Sequence, residues 1–405
     1  MNILHVTAWH FSVSRGGTET YIDGLAQALS GRSAKNYFLV LSGNPILFEY
    51  ENCFHMSNQE DLSALRQKIK DLIVNLHPDR IFIHSSDTWE YLAAEIAAVL
   101  QIPFFYFFHA SSWLCYQRDL KFLGKKDCRR LFKPIQCTTC VSSHGSFVRG
   151  LWRTVGCEVL RKMGLRKSSG LQSNRFELAE KEFIFRHATR HIVFTERDRR
   201  LFIENGIAES KILLIPQELG EARLAACLRQ AKKARCGIPT FGYVGRCCSI
   251  KGCEILVAAA LKLPPDLEFI LRIYGCDWTD PYCRDLQSMA ARDSRIELYE
   301  LMPPEEIPDK LGSLDVLCIP SLVFETGPLT LREGVYSGCY VAGSDQVGQM
   351  DFLLHYGKLI DSNTPEGWAA FFTECIRNIE KIRRSRQDSF PNAKSMDFVA
   401  EEILK

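Results

Sequence analysis

The apolar positions of this chain follow two alternating periods. Residues 2–7, NILHVT, form a short apolar run that predicts a strand. The segment TYIDGLAQALSG then places Tyr21, Ile22, Leu25 and Leu29 on one helical face and stops at Gly31. YFLVLSG (37–43), RIFIHS (80–85) and PFFYFFH (103–109) predict further strands. LSALRQKIKDLIVNL (62–76) and WEYLAAEIAAVL between them have helical spacing. Strands that are apolar throughout, alternating with helices, predict a parallel sheet covered on both faces. The alternation resumes after residue 238, with TFGYVG, LEFILRIYG, RIELYEL, DVLCIPS and CYVAGS as strands. Between the two series lies GEARLAACLRQAKKARCGIP (220–239), helical and then broken at Gly237 and Pro239. The pattern predicts an α/β protein of two Rossmann-like domains, residues 1–218 and 219–390.

Composition narrows the function classes. The 405 residues are 46% apolar and 24% charged, ordinary values for a globular protein. A net charge of +2 gives no global electrostatic case for nucleic acid, and no nucleic-acid partner is expected. The start MNILHVTAWH lacks the basic, apolar and small-residue pattern of a signal peptide. No apolar run approaches the ~20 residues a membrane-spanning helix needs. The expected location is cytoplasmic, peripheral on the inner face of the membrane at most. Most of the sixteen cysteines are scattered and read as reduced, buried thiols. Cys115, Cys128, Cys137 and Cys140 differ, falling in one loop-like stretch that ends CTTC. That spacing makes them a candidate structural zinc cluster, with free thiols as the alternative.

Ligands of open parallel sheets sit beyond the carboxyl ends of the strands, which singles out four places. SRGGTET (14–20) follows the first strand and enters a helix. Gly16 and Gly17 there let a ligand approach the backbone and the helix N-terminus. VGRCCSIKG (244–252) carries Arg246 and Lys251, which together can neutralise a diphosphate gaining charge as it leaves. In ETGPLTLREG (325–334), Pro328 suits a first helical position and Gly338 its end, which puts Glu325 before the helix and Glu333 inside it. A carboxylate there can accept from two vicinal ribose hydroxyls, while the amides from Gly327 to Thr330 can hold phosphate. His109 closes the run PFFYFF, either as a core histidine or as a group at the site.

These segments, in this order and across most of the chain, resemble retaining GT-B glycosyltransferases of family 4. SRGGTET is similar to their N-terminal glycine loop, and VGRCCSIKG to their Gly-Arg…Lys-Gly element. ETGPLTLREG is similar to their Glu-x7-Glu motif, and GSDQVGQMDFLLHYGKLI to the segment after it. HIVFTERDRRLFIENGIAESKILLIP (191–216) resembles the end of their first domain. The resemblance implies the GT-B fold, two Rossmann-like domains facing across a cleft, with a terminal helix of about 391–405 packed back on the first domain. It implies that Glu333 accepts the ribose hydroxyls of a nucleotide-sugar and that Arg246 and Lys251 hold the diphosphate, with Gly16, Gly17 and Gly245 near it. Glu325, Thr326, Gly327, Pro328, Leu329 and Thr330 would meet the donor, and His109 the transferred sugar. It further implies that no cofactor and no divalent metal take part in catalysis, the nucleotide-sugar being a substrate. One departure is PQELG (216–220), where the family has Pro-Asn-Gly. Alternatives of the same fold are a sugar-nucleotide epimerase, a phosphorylase or a non-catalytic scaffold. A dinucleotide enzyme would need GxGxxG and a following acid, and neither is visible.

Local charge bears on the acceptor. From Arg118 to Lys167 there are thirteen Lys and Arg against three acids, interleaved with Phe122, Phe147, Leu151 and Trp152. The stretch reads as a solvated basic face or as one that rests on anionic lipid, suiting a lipid-linked acceptor. Donor base and sugar stay open between UDP- and GDP-sugars, since backbone near Ile296 to Met302 would read the base.

Overall fold

A computed structural model describes residues 1–8, 16–42, 52–57, 61–85, 88–110, 114–115, 120–143, 146–388 and 393–405. The chain divides into two compact units, Met1–Pro216 and Gln217–Lys405.

The first unit is built on β1 (Asn2–Thr7), β2 (Lys35–Ser42), β3 (Cys53–Ser57), β4 (Arg80–Ile83) and β5 (Phe104–Phe107). A two-stranded hairpin, β6 (Lys121–Phe122) with β7 (Lys126–Asp127), precedes β8 (Arg190–Val193) and β9 (Ile212–Leu214). Seven strands run parallel in the order β3-β2-β1-β4-β5-β8-β9. One face carries Leu4, Val6, Ile81, Ile83 and Tyr106 into a core with Leu65, Ile69 and Ile73 of the helix Leu62–Leu76. That helix starts where the sequence predicts because the Asp61 carboxylate accepts from the amides of Ser63 and Ala64. The helix Gly17–Ser30 buries Tyr21, Ile22, Leu25 and Leu29, and Ile22 and Ala26 pack with Phe38 and Val40 of β2. Strand β3 and the helices Pro134–Ser142, Phe147–Lys162 and Gly170–His187 were not foreseen. The stretch expected to be a loop thus places Cys137 and Cys140 on a helix that begins at Pro134.

The second unit holds β10 (Thr240–Val244), β11 (Ile270–Cys276), β12 (Ile296–Glu300), β13 (Val316–Ile319), β14 (Tyr340–Gly343) and β15 (Gly357–Leu359). They form a parallel sheet in the order β12-β11-β10-β13-β14-β15. The last helix, Met396–Leu404, joins this unit through the Met396 amide, 2.9 Å from the Leu219 carbonyl. Residues 391 and 392 of the expected terminal helix lie outside the described residues. In both sheets the chain leaves a central strand in opposite directions, between β1 and β4 and between β10 and β13. Those switch points are where a doubly wound sheet opens a crevice at its carboxyl edge.

Candidate functional site

In the second unit the predicted residues gather at the switch point. All of β10 is buried, and its end is pinned by the Gly245 amide on the Tyr274 carbonyl (3.1 Å) and the Cys247 amide on Gly275 (2.9 Å). The Tyr243 hydroxyl donates to the Arg246 carbonyl at 3.0 Å, so the backbone of Arg246 is held while its side chain stays exposed. One 3₁₀ turn, Ser249–Lys251, follows and ends at Gly252 with φ +71°. A Cβ at Gly252 would collide with the Pro320 carbonyl oxygen, so glycine alone lets this loop lie against the end of β13. There Lys251 Nζ sits 2.7 Å from Glu325 Oε2, and the Ser321 hydroxyl donates to the other carboxylate oxygen. A cation from the β10 loop and an acid from the β13 loop are thus brought into contact.

Glu325 is fixed from its backbone side by its amide on the Gln346 carbonyl at 2.9 Å. Thr326 is buried, and Gly327 has φ +145° with Gln349 packed where a side chain would go. Pro328, expected as the first helical residue, is instead the boundary residue of the helix Leu329–Tyr336, because its ψ of 124° is extended. The amino end of the helix therefore begins at Leu329, and no side chain caps it. Gly338 lies just past the helix with φ +83°, as its place in the sequence suggests.

Glu333 is almost fully buried, and its Oε1 lies 2.7 Å from Arg223 Nε. Arg223 also donates to the Pro304 carbonyl, so the carboxylate is aimed by a cation that sequence reasoning did not single out. Its neighbour Arg332 points elsewhere: it meets Glu218 at 2.8 Å, Gln349 Oε1 at 3.0 Å and the Tyr336 hydroxyl at 3.0 Å. Its guanidinium also lies 4.3 Å above the Phe352 ring. Glu218 belongs to the PQELG departure, and burial raises its carboxyl to about 7 against the lowering pull of Arg332. Glu218 and Arg332 are 114 positions apart, and nothing local in either segment signals the pair.

In the first unit, Gly16 precedes and Gly17 begins the helix Gly17–Ser30, again without a side-chain cap. Gly16 has φ −78°, so no unusual torsion demands glycine there, and a Cβ at Gly17 would meet nothing. Ser14 and Arg15 of the same loop, and Arg118 of the basic stretch, lie outside the described residues. His109, beyond β5, is buried, with its Nε2 3.1 Å from His84 Nδ1 and its ring 5.1 Å from that of Tyr21.

The candidate zinc ligands Cys115, Cys128, Cys137 and Cys140 lie near one another. Among the described residues no group of three or more His, Cys, Asp or Glu side chains is placed to hold a metal ion. Burial pushes the Cys128 thiol up to about 11, and the nearby Cys115, Cys137 and Cys140 add to the rise, which favours neutral thiols. Cys140 Sγ accepts the Leu123 amide at 3.1 Å instead.

Buried titratable groups make stability depend on pH. Burial holds His5 down to about 4, His109 and His191 to about 3, and His84 well below the ordinary imidazole range. Above about pH 6.5 the folded and unfolded chains carry these rings alike; as pH falls below it, only the unfolded chain takes up the protons, and stability is lost. Asp198 and Glu218, raised by burial to about 8 and about 7, act in the opposite sense, since the folded form protonates first. Four losses against two gains leave a net fall of roughly 3 kcal/mol between about pH 7 and about pH 5. Urea midpoints should drop accordingly; an unchanged or higher midpoint at the acid end would show that these rings are charged in the folded protein.

Comparison with known proteins supports the architecture. No family model matches the chain. Alpha-maltose-1-phosphate synthase from Mycolicibacterium smegmatis is 27% identical over 153 residues, which are 35% of this chain and only 38% of that protein. The crystal structure of Anabaena HepE in complex with UDP-glucose superposes with a TM-score of 0.66 at 15% identity, over 100% of this chain and 98% of that one. WaaG, a glycosyltransferase involved in lipopolysaccharide biosynthesis, superposes with a TM-score of 0.65 at 13% identity, over 98% of both chains. Two parallel sheets of seven and six strands, each wound with helices, match these structures along their whole length, and the chain has their fold, GT-B.

Proposed function

We propose that this chain is a retaining glycosyltransferase of the family 4 type. It would move a sugar from a nucleotide-sugar, as in the UDP-glucose complex of HepE, to a saccharide or lipid-linked acceptor of cell-surface polysaccharide or glycolipid. The observation that carries the reading is the Lys251–Glu325 contact beside Arg246 and the uncapped helix Leu329–Tyr336, at the β10/β13 switch point. On this reading the Arg246 guanidinium, the Lys251 ammonium and the uncapped helix amides would meet a diphosphate as it accepts the electron pair of the breaking bond to the anomeric carbon. The acceptor hydroxyl forms the new bond on the same face, and its proton goes to the departing phosphate oxygen. Neither a protein nucleophile nor a divalent metal is part of this scheme. Gly16, Gly17 and His109 are the residues of the first unit that the reading assigns to the donor.

The test is release of free nucleoside diphosphate from a panel of UDP- and GDP-sugars, with and without acceptor, in EDTA. Turnover with retained anomeric configuration is expected. Dependence on added magnesium or manganese would remove the metal-free scheme, a sugar 1-phosphate product would indicate a phosphorylase, and an epimerised donor an epimerase. Glu333→Gln keeps the shape of the side chain but loses the charge that Arg223 and a ribose would share. A charged hydrogen bond of about 1.5–3 kcal/mol predicts ten- to a hundred-fold weaker donor binding by calorimetry. Equal affinity would separate Glu333 from the ribose.

The acceptor side is argued from the helix Phe147–Lys162. Val148, Trp152, Val155 and Val159 are 64%, 75%, 47% and 48% exposed and recur at helical spacing, between Arg149, Arg153, Arg161 and Lys162. An apolar stripe rimmed by cations suits the surface of an anionic bilayer. Among the described residues no helix is long and apolar enough to cross one. The protein is expected to sediment with vesicles containing phosphatidylglycerol and not with pure phosphatidylcholine, and Trp152→Glu to lose most of that binding. Equal partition of both proteins would leave the face to water.

A further inference from the structure

Three buried histidines form a hydrogen-bonded series across the first sheet, and the amide at its far end sets its direction. Asn36 Nδ2 lies 3.0 Å from the Ala26 carbonyl and 2.9 Å from the Ser30 hydroxyl. The Ala26 carbonyl can only accept, so that amide atom is the NH₂ group. The other amide atom, 3.0 Å from His5 Nε2, is therefore the oxygen, which also only accepts. His5 Nε2 must carry a proton. A neutral imidazole has one N–H, so His5 Nδ1 is a lone pair, and His84 Nε2, 3.0 Å away, must donate to it. His84 Nδ1 is bare in turn, and His109 Nε2 donates to it across 3.1 Å. One amide orientation thus dictates the tautomer of three rings on three strands or strand ends.

The sheet builds this series by register. His5 of β1 stands opposite Phe38 of β2 and Phe82 of β4, and Phe82 opposite Phe105 of β5. His84 and His109 lie two and four residues further along from Phe82 and Phe105, so the series climbs toward the carboxyl edge. Phe38 stacks on His5 at 5.0 Å, Phe107 lies 4.5 Å from His84, and Phe194 lies 5.2 Å from His109. Aromatic neighbours fix the ring planes, and two-sided bonding of His5 and His84 fixes which nitrogen faces which partner. Burying three imidazoles costs desolvation that apolar side chains of similar volume would avoid, so packing alone does not explain them.

We propose that His5 and His84 are positioning residues that hold His109 as its Nε2–H tautomer. Whatever meets His109 Nδ1, from the protein or from a ligand, then meets a lone pair. Under the glycosyltransferase reading, on which this consequence rests, His109 accepts a hydrogen bond from a sugar hydroxyl and donates none to it. Separating charge from tautomer matters here: burial keeps the ring neutral, and the series decides which nitrogen is bare.

Nitrogen-15 spectra of histidine-labelled protein test the series without any substrate. His109, His84 and His5 should each show a protonated Nε2 and a bare Nδ1. Asn36→Ala, remote from the edge, should release all three into mixed tautomers while circular dichroism stays native. His84→Phe should release His109, whereas His84→Gln, which keeps one donor and one acceptor, should hold it. A protonated Nδ1 on His109 in the unaltered protein would overturn the proposal, as would an unchanged His109 signal in His84→Phe. In donor turnover, His84→Phe should lower kcat about ten- to a hundred-fold with little change in KM, partly restored by His84→Gln. Equal kcat for His84→Phe and the unaltered protein would also overturn the positioning role. If the spectra hold and no nucleotide-sugar is consumed, the functional reading fails and the series stands.

Discussion

Arg246→Ala and Lys251→Ala are each expected to lower kcat by about a hundred- to a thousand-fold, with donor KM changing less. The magnitude is that of losing one preorganised donor to a developing oxyanion, roughly 2.7–4 kcal/mol. As the bond to the anomeric carbon breaks, charge accumulates on the diphosphate, so groups already fixed there act more in the transition state than in the bound donor. The backbone of Arg246 is held by the Tyr243 hydroxyl, which donates to its carbonyl, and the Lys251 ammonium by its contact with Glu325. Arg246→Lys should recover only part of the loss, because a point charge does not replace a planar fork that grips two oxygens. Lys251→Ala leaves Glu325 bonded to Ser321, so melting temperatures should be measured beside the kinetics. A normal kcat with a raised KM would make the pair a binding device only. Normal values of both would place it on a solvated face.

Arg383→Ala is expected to destabilise the second unit by about 3–5 kcal/mol, the cost of leaving a buried charge without its partner. Arg383, on the helix Ile379–Asp388, meets the Asp315 carboxylate with two parallel bonds of 2.8 and 2.9 Å, and both side chains are buried. Arg383 also donates to the Gly237 carbonyl at 3.1 Å, and Asp315 accepts the Thr240 amide at 2.9 Å. The pair therefore ties the amino ends of β10 and β13, the two strands whose carboxyl ends carry the candidate site. Replacing both partners by Leu should cost much less than Arg383→Ala alone, since no orphaned charge remains. Urea denaturation checks both. An Arg383→Ala protein within about 1 kcal/mol of the parent would mean that water reaches Asp315 and screens it.

Much of the architecture was legible along the chain. Strands such as NILHVT and DVLCIPS are apolar on both faces because helices cover both, and that burial writes itself into consecutive residues. Gly252, Gly327 and Gly338 mark backbone that only glycine adopts without strain, and such requirements are local. Arg246, Lys251 and Glu325 stood out as candidates because each follows a strand whose end the periodicity already determines, and Glu333 because it lies in the helix that comes next. Strand β3 escaped notice as a half-buried edge with no apolar run, and the helices between 134 and 187 because their exposed apolar residues blur the period. CTTC has metal-like spacing, yet spacing in the chain does not by itself reveal the helix from Pro134 on which Cys137 and Cys140 stand.

What the sequence by itself determined is the order of strands and helices, and the strand ends at which chemistry can gather. What only the tertiary structure decided is which side chains face one another there. Arg223 on Glu333, Arg332 on Glu218, and Asn36 with His5, His84 and His109 each join segments remote in the chain. Periodicity reports how a residue meets the solvent, a property of its own element; a hydrogen bond between remote residues depends on register and strand order, which arise only when the sheet closes.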